Sequence, residues 1–233
     1  MSAAVPEISA PEIYGARAIW RIVGLLPPIE RAYSFARFLI MRPKLLSAMD
    51  LLLPAEGRIL DLGCGFGLFA AYFGQTQPAR EIVGIDLNPK RVAMAQVVAT
   101  GLGLRTHRFV VGDVRQLDLA GTFAGAYVLD VMHHVPADSQ RAILKQIYDL
   151  LAPGGVLVMK DITTAAPFGL QFTKLLDRMM VGLSEPLAYR HHREWAGLLM
   201  DLGFSVRVAR VPDVLPYPHV ILAAKKPTGD SQR

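Results

Sequence analysis

A single cysteine, Cys64, stands in 233 residues, which excludes an internal disulfide framework and fits a reducing compartment. Long apolar runs are missing as well. No stretch approaches the roughly 20 uninterrupted apolar residues of a membrane-spanning helix, although the hydrophobic fraction is 52% and the mean hydropathy +0.31. The first residues show no basic region leading into an apolar one, so the expected location is cytoplasmic, with a peripheral place at the inner membrane surface as the variant. Internal repeats and low-complexity segments are also lacking. Charged residues make up only 19%, and the net charge of +5 is spread out rather than gathered in a run. The cations stand among aliphatic rather than stacking aromatic residues, so nucleic acid is not the expected partner. An acidic substrate or an anionic lipid surface suits a diffuse positive face better.

What is present has a clear order. The first dozen residues, with Pro6 and Pro11, read as a loose tail. Residues 14–53 are helical in pattern, rich in Leu, Ile and Ala, and broken at Pro27-Pro28 and Pro43. Beyond them strand-like and helix-like runs alternate. The spacing predicts strands at Gly57–Leu62, Glu81–Asp86, Thr106–Val111, Phe123–Leu129, Gly155–Lys160, Phe204–Val211 and Tyr217–Lys225, and helices at about Leu68–Gln75, Pro89–Leu102, Ser139–Leu151 and Arg190–Leu202. Alternation of this kind makes an α/β fold with a doubly wound, mostly parallel sheet of seven strands. The last two strands are joined only by Pro212–Pro216, too short for a crossover helix, so the final strand is expected to run antiparallel. Asn88-Pro89 is a good cap before a first-turn proline, and Ala152-Pro153-Gly154-Gly155 a stop. The expected organisation is a tail and helical lid over 1–53, a core domain over 54–226 with a lid insertion at 164–189, and a short tail over 227–233.

In a parallel α/β sheet, ligands bind at the carboxyl ends of the strands. After the first strand come Asp61 and the turn Gly63-x-Gly65-x-Gly67. Asp86 ends the second strand, a carboxylate placed to accept both hydroxyls of a ribose. Gly112-Asp113-Val114 follows the third, and Asp130-Val131-Met132-His133-His134 the fourth.

Ile59-Leu60-Asp61-Leu62-Gly63-Cys64-Gly65-Phe66-Gly67 resembles the signature of the Rossmann-like (class I) methyltransferases that use S-adenosylmethionine. Val83-Gly84-Ile85-Asp86, Gly112-Asp113-Val114, Leu150-Leu151-Ala152-Pro153-Gly154-Gly155 and the run Trp195 to Phe204 are similar to later landmarks of that family. The resemblance covers roughly residues 45 to 226, far more than one glycine motif carries. It implies the cofactor S-adenosyl-L-methionine, with S-adenosyl-L-homocysteine as product. It also implies residue roles. Asp61 and the Gly63 backbone hold the amino group of the methionine moiety, and Gly65 and Gly67, with Cys64 between the glycines, give close approach. Asp86 takes the ribose and Leu87 lies against the adenine. Asp113 takes the adenine amino group with the Val114 N–H at the ring, and Leu129 and Asp130 line the methionyl arm. Cys64 itself reads as a small residue in a crowded turn, since nothing nearby supplies a base.

Methyl transfer needs a base only if the acceptor must lose a proton. His134, then His133, is the candidate, with His191 and His192 behind them and His219 expected to be structural. Adjacent histidines rarely point at one centre, so no metal site is expected. The apolar, Met-rich lids, with Phe168, Phe172, Leu175, Leu176, Met179, Met180 and Leu183 in the second, predict a hydrophobic acceptor: a lipid, an aromatic or polyketide-like metabolite, or an acyl chain on a carrier protein. Arg17, Arg21, Arg31, Arg37, Arg42 and Lys44 make the first lid basic and amphipathic, which suits an anionic membrane surface.

Two rivals differ at the motif level. A nicotinamide-dependent oxidoreductase carries Gly-x-Gly-x-x-Gly near its start, whereas the spacing here is Gly-x-Gly-x-Gly after some fifty-five residues. A nucleic-acid amino-methylating enzyme carries an Asn/Asp-Pro-Pro-Tyr-like turn where this chain has Asp130-Val131-Met132-His133. A scaffold that binds the cofactor without turnover keeps every cofactor motif.

Overall fold

Proline decides where the chain stops being continuous helix. In the computed structural model, which describes residues 12–165, 168–171, 173–174, 187–210 and 218–229, the N-terminal segment forms α1 (Glu12–Gly24), α2 (Pro28–Ile40) and α3 (Pro43–Asp50). The breaks fall at Pro27-Pro28 and before Pro43, where proline can open a helix but not continue one. The alternating elements follow as β1 (Gly57–Leu62), α4 (Leu68–Thr76), β2 (Arg80–Asp86), α5 (Pro89–Gly101), β3 (Arg108–Val111), β4 (Phe123–Leu129), a 3₁₀ turn (Met132–His134), α6 (Ala137–Leu150), β5 (Leu151–Ile162), α7 (His192–Asp201), β6 (Ser205–Arg210) and β7 (His219–Lys225). The strand order is β3-β2-β1-β4-β5-β7-β6. β7 runs antiparallel to both β5 and β6, as the short proline-rich link predicts. The expected tail over the first residues, the link 211–217 and most of the second lid, including Phe172, Leu175, Leu176, Met179, Met180 and Leu183, lie outside the described residues.

The chain divides into two compact units, Met1–Asp113 and Val114–Arg233. In the first, β1 pairs in parallel with β2 and β2 with β3. Ile59, Leu60, Leu62, Ile82, Val83 and Ile85 are buried as near-continuous apolar runs, the pattern of strands covered on both faces. α1 buries Ala18, Ile19, Ile22 and Val23 at helical spacing, and Leu26 is buried in the turn that follows. Each of the Ile, Val and Leu side chains contributes about 1.5–3 kcal/mol on full burial. Arg80, 1% exposed, anchors the helical segment to the sheet. It pairs with Asp50 and donates to the carbonyls of Pro54 (2.7 Å), Asp50 (3.0 Å), Phe73 (3.2 Å) and Leu53 (3.3 Å). Removing one partner of such a buried pair costs about 3–5 kcal/mol, because the other charge is stranded.

In the second unit β4 pairs in parallel with β5, with Leu129 opposite Lys160. Its core is Phe123, Tyr127, Val128, Leu157, Val158, Met159, Ile221 and Leu222, closed by Trp195 of α7 and by Ile143, Leu144 and Ile147 of α6. β5 runs longer than the expected Gly155–Lys160. It starts where α6 ends and continues to Ile162, which carries Lys160 and Asp161 inside the sheet. α7 starts at His192 rather than Arg190, because the His191 side chain caps it, accepting the Arg193 N–H at 3.1 Å.

His107, 1% exposed, lies against Gly74 of α4 so closely that a Cβ there would fall 2.2 Å from its Nε2. Burial lowers its pKa from 6.5 to about 4, the Ala70 backbone pulling slightly the other way. The unfolded chain therefore binds a proton near pH 6.5 that the folded chain refuses until about pH 4. Stability is full above the unfolded value and falls as pH drops towards 4, at up to about 1.4 kcal/mol per pH unit. Urea midpoints at pH 7 and pH 5 check this. The wild type should lose more than His107→Gln between the two, and equal losses would contradict the assignment.

Candidate functional site

In the first unit, three strand ends meet around one carboxylate. Gly63 and Cys64 both donate their backbone N–H to the Ile85 carbonyl, at 2.8 and 3.0 Å, so the glycine turn is clipped to the end of β2. Asp86 then accepts from both sides. Its Oδ2 takes the Gly65 N–H and its Oδ1 the Asn88 N–H, each at 2.9 Å. The Asp86 carbonyl accepts the Gly112 N–H at 3.0 Å, which fixes the turn carrying Asp113. A carboxylate offers about four acceptor positions. Two are used by the fold.

The turn needs glycine for two different reasons. Gly67 has φ 70°, and a Cβ there would come within 2.8 Å of the Ala95 Cβ. Gly65 has φ 53°, but a Cβ would meet nothing within 4 Å, so its backbone faces open space. That is the geometry for close approach of a ligand. Phe66 is held between the Tyr33 ring edge (5.7 Å) and the Arg91 guanidinium (5.7 Å). Leu87, beside Asp86, is 67% exposed, a branched apolar side chain outside the core. Asp61 is buried at the end of β1.

Cys64 is buried, and burial first, then the Asp61 and Asp86 carboxylates, push its thiol far above the ordinary range. It is not a nucleophile at neutral pH. A disulfide reagent should leave the folded chain unlabelled and modify one thiol once denaturant is added; rapid labelling of the native protein would contradict this.

The second unit carries a different cluster at the carboxyl ends of β4 and β5. Asp130 has φ 53°, the single non-glycine residue with positive φ among the described residues. Such strain persists where the surroundings over-determine it. Its N–H bonds the Lys160 carbonyl at 3.1 Å, and its carboxylate pairs with the buried Lys160 ammonium. Lys160 and Asp161 leave β5 on opposite faces, and Asp161 takes His133. His133 is 1% exposed, with Nδ1 2.5 Å from Asp161 Oδ1. The same oxygen accepts the Ile162 N–H at 2.8 Å. The Tyr189 ring stacks on His133 at 5.0 Å and 15°. Gln140 holds the turn by donating to the carbonyls of Met132 (2.9 Å) and Val135 (3.0 Å), and is itself fixed by Arg190.

These positions sort the histidines. His133 gains a buried carboxylate partner, whereas His134 is half-buried, its ring 4.2 Å from that of His133. His191 is a helix cap, His192 bonds Thr163 Oγ1 at 3.0 Å, and His219 is buried on β7. Sequence reasoning passed over Asp161, Lys160, Gln140 and Tyr189. Two consecutive charges closing the apolar run Val156-Leu157-Val158-Met159 were the available signal, since buried charges are kept only when paired. Ligand-type atoms of Asp130, His133 and Asp161 lie within 4.8 Å of one another. The Lys160 ammonium already supplies the positive charge that a metal ion would bring to Asp130.

A strand-end carboxylate beside a glycine turn open at Gly65 gives this α/β protein a close-approach site at the ends of β1 and β2. Residues 59–155 match the family model described as "Methyltransferase domain". The chain is 32% identical to a demethylmenaquinone methyltransferase of Thermus thermophilus, over 77% of this chain and 87% of that one. It therefore belongs to the Rossmann-like methyltransferases, whose cofactor is S-adenosylmethionine. It is also 36% identical to a carboxy-S-adenosyl-L-methionine synthase of Chromohalobacter salexigens over 44% of this chain, spanning 39% of that relative. Among solved structures it is similar to the S-adenosylmethionine-dependent methyltransferase SibL, with TM-score 0.71 and 19% identity, over 88% of this chain and 61% of that one.

Proposed function

We propose that this chain transfers the methyl group of S-adenosylmethionine to a hydrophobic small molecule of the quinone-precursor type, with His133 receiving the proton that the acceptor loses. The observation that carries the proton-handling role is the buried Asp161–His133 pair. The name of the Thermus relative, a demethylmenaquinone methyltransferase, supports the acceptor class.

The cofactor residues follow from the strand ends. Asp86 takes the ribose hydroxyls on the acceptor positions that Gly65 and Asn88 leave open, and Leu87 covers the adenine. Asp113 takes the adenine amino group, with the Val114 N–H at the ring. Gly63, Cys64, Gly65 and Gly67 let the backbone pass close beneath. Asp61 is the carboxylate for the methionine ammonium. Asp130, neutralised by Lys160, lines the methionyl arm with Leu129 and adds shape rather than net charge.

S-adenosylmethionine brings a methyl group already activated on a sulfonium, so the chain has to align an acceptor and exclude water. As the new bond to methyl forms, the carbon–sulfur bond breaks and its electron pair stays on sulfur. The acceptor's proton passes to His133. Asp161 holds Nδ1, which assigns the transfer to Nε2 and stabilises the imidazolium that results. His134 stands beside this ring, 4.2 Å between centroids, and has the lesser role.

Two variants test the reading separately. Asp86→Ala should weaken S-adenosylhomocysteine binding about 100-fold by calorimetry, the loss of charge-assisted hydrogen bonds to two hydroxyls; undiminished affinity in a folded variant would overturn the cofactor assignment. His133→Gln should lower kcat by about 10²–10⁴ with cofactor affinity unchanged. A kcat equal to wild type would remove His133 from proton transfer.

A further inference from the structure

α2 is apolar on both sides, and only one side is used. Its inner side carries Phe38, buried, whose ring meets that of Phe69 edge-on at 5.9 Å, and Tyr33, which meets Phe66 of the glycine turn. Its outer side presents Ile29, Ala32, Phe35, Ala36 and Leu39 at three- and four-residue spacing, all exposed, Ile29 to 82% and Leu39 to 57%. An outward stripe of this kind on a helix already packed through its other face marks a contact surface.

The surroundings say what kind. Trp20 of α1, 65% exposed, meets Phe35 at 5.8 Å between ring centroids. That contact brings the outer face of α1, with the exposed Arg17 and Arg21 flanking Trp20 in sequence, to the border of the stripe. From Gly15 to Met49 there are six cations, Arg17, Arg21, Arg31, Arg37, Arg42 and Lys44, against the single acid Glu30. A self-associating surface would bring the exposed Arg17 and Arg21 towards their own copies, and like charges placed together cost stability. An anionic lipid headgroup layer above an acyl boundary matches both features: tryptophan and aliphatic side chains enter the boundary while arginines stay among the phosphates. Among the described residues no helix is long and apolar enough to cross a membrane.

We propose that the outer face of α2, with Trp20, Arg17 and Arg21 of α1, docks this chain on an anionic membrane surface. The bound chain lies on the surface and does not span it. Through Tyr33 and Phe66 the docked helix also braces the glycine turn from its inner side. The proposal goes beyond the acceptor reading and needs neither cofactor nor acceptor for its test.

Fluorescence reads it directly. The sequence has two tryptophans; Trp195 is buried and Trp20 exposed, so a change in emission on adding vesicles reports Trp20. Vesicles of phosphatidylglycerol and phosphatidylcholine should shift the emission to shorter wavelength and carry the protein down on sedimentation. Binding should weaken in high salt, and roughly fivefold for each arginine removed in Arg17→Gln and Arg21→Gln. Phe35→Ser with Leu39→Ser should abolish binding while circular dichroism stays unchanged. Absence of both shift and sedimentation would overturn the proposal. So would light scattering that finds a dimer which Phe35→Ser with Leu39→Ser converts to monomer, since a second copy would then cover the stripe. Either failure leaves the methyl-transfer reading standing.

Discussion

Asp86 is the constraint on which the order of the glycine turn depends. Its two oxygens accept the N–H groups of Gly65 and Asn88, one from each side. One carboxylate thereby holds the glycine turn, the end of β2 and the start of α5 in register before any ligand arrives. The acceptor oxygens are thereby fixed in place by the fold itself. Preorganised acceptors of this kind need little rearrangement on binding, and affinity gains mainly from costs avoided. Neighbouring choices serve the same end: Gly67 has no room for a side chain, Cys64 is small and inert, and Leu87 is left exposed beside the carboxylate.

The second unit uses charge differently. Lys160 and Asp161 are consecutive, buried, and sent to opposite faces of β5, where one meets Asp130 and the other His133. Lys160 is neutralised by Asp130, and the Asp161 carboxylate is met by His133 Nδ1 and the Ile162 N–H, which is what lets these buried groups stay out of water. The strained backbone at Asp130 is consistent with a residue held by its partner rather than by its own preference. His133 gains from this arrangement a ring fixed by Asp161 at Nδ1 and by the stacked Tyr189.

Much of the framework was legible because it is local. Proline at 27, 28 and 43 set the helix breaks, Asn88 caps α5 through the N–H groups of Lys90 and Arg91, and β1 and β4 have the bounds that alternation predicts. The strand-end motifs pointed to the cofactor for the same reason, since each is a short run at a known place in the fold. What escaped was non-local. Asp161 reaches His133 across 28 residues and Arg190 reaches Gln140 across 50, and no periodicity reports such pairs. The sequence favours His134 ahead of His133 as the base, and nothing in the run 130–134 reports that Asp161 takes the His133 ring. The apolar pattern of α2 was plain, but a helix with two apolar faces does not reveal which one the core will claim. Ile29 and Leu39 are exposed because Tyr33 and Phe38 won that competition.

A crystal structure with S-adenosylhomocysteine bound tests the central claim most directly. The account predicts both ribose hydroxyls on the Asp86 carboxylate, the Gly65 N–H still on Oδ2, and the ligand passing over the open side of Gly65. A nucleoside bound away from Asp86, or a glycine turn that must unfold to admit it, would contradict the account.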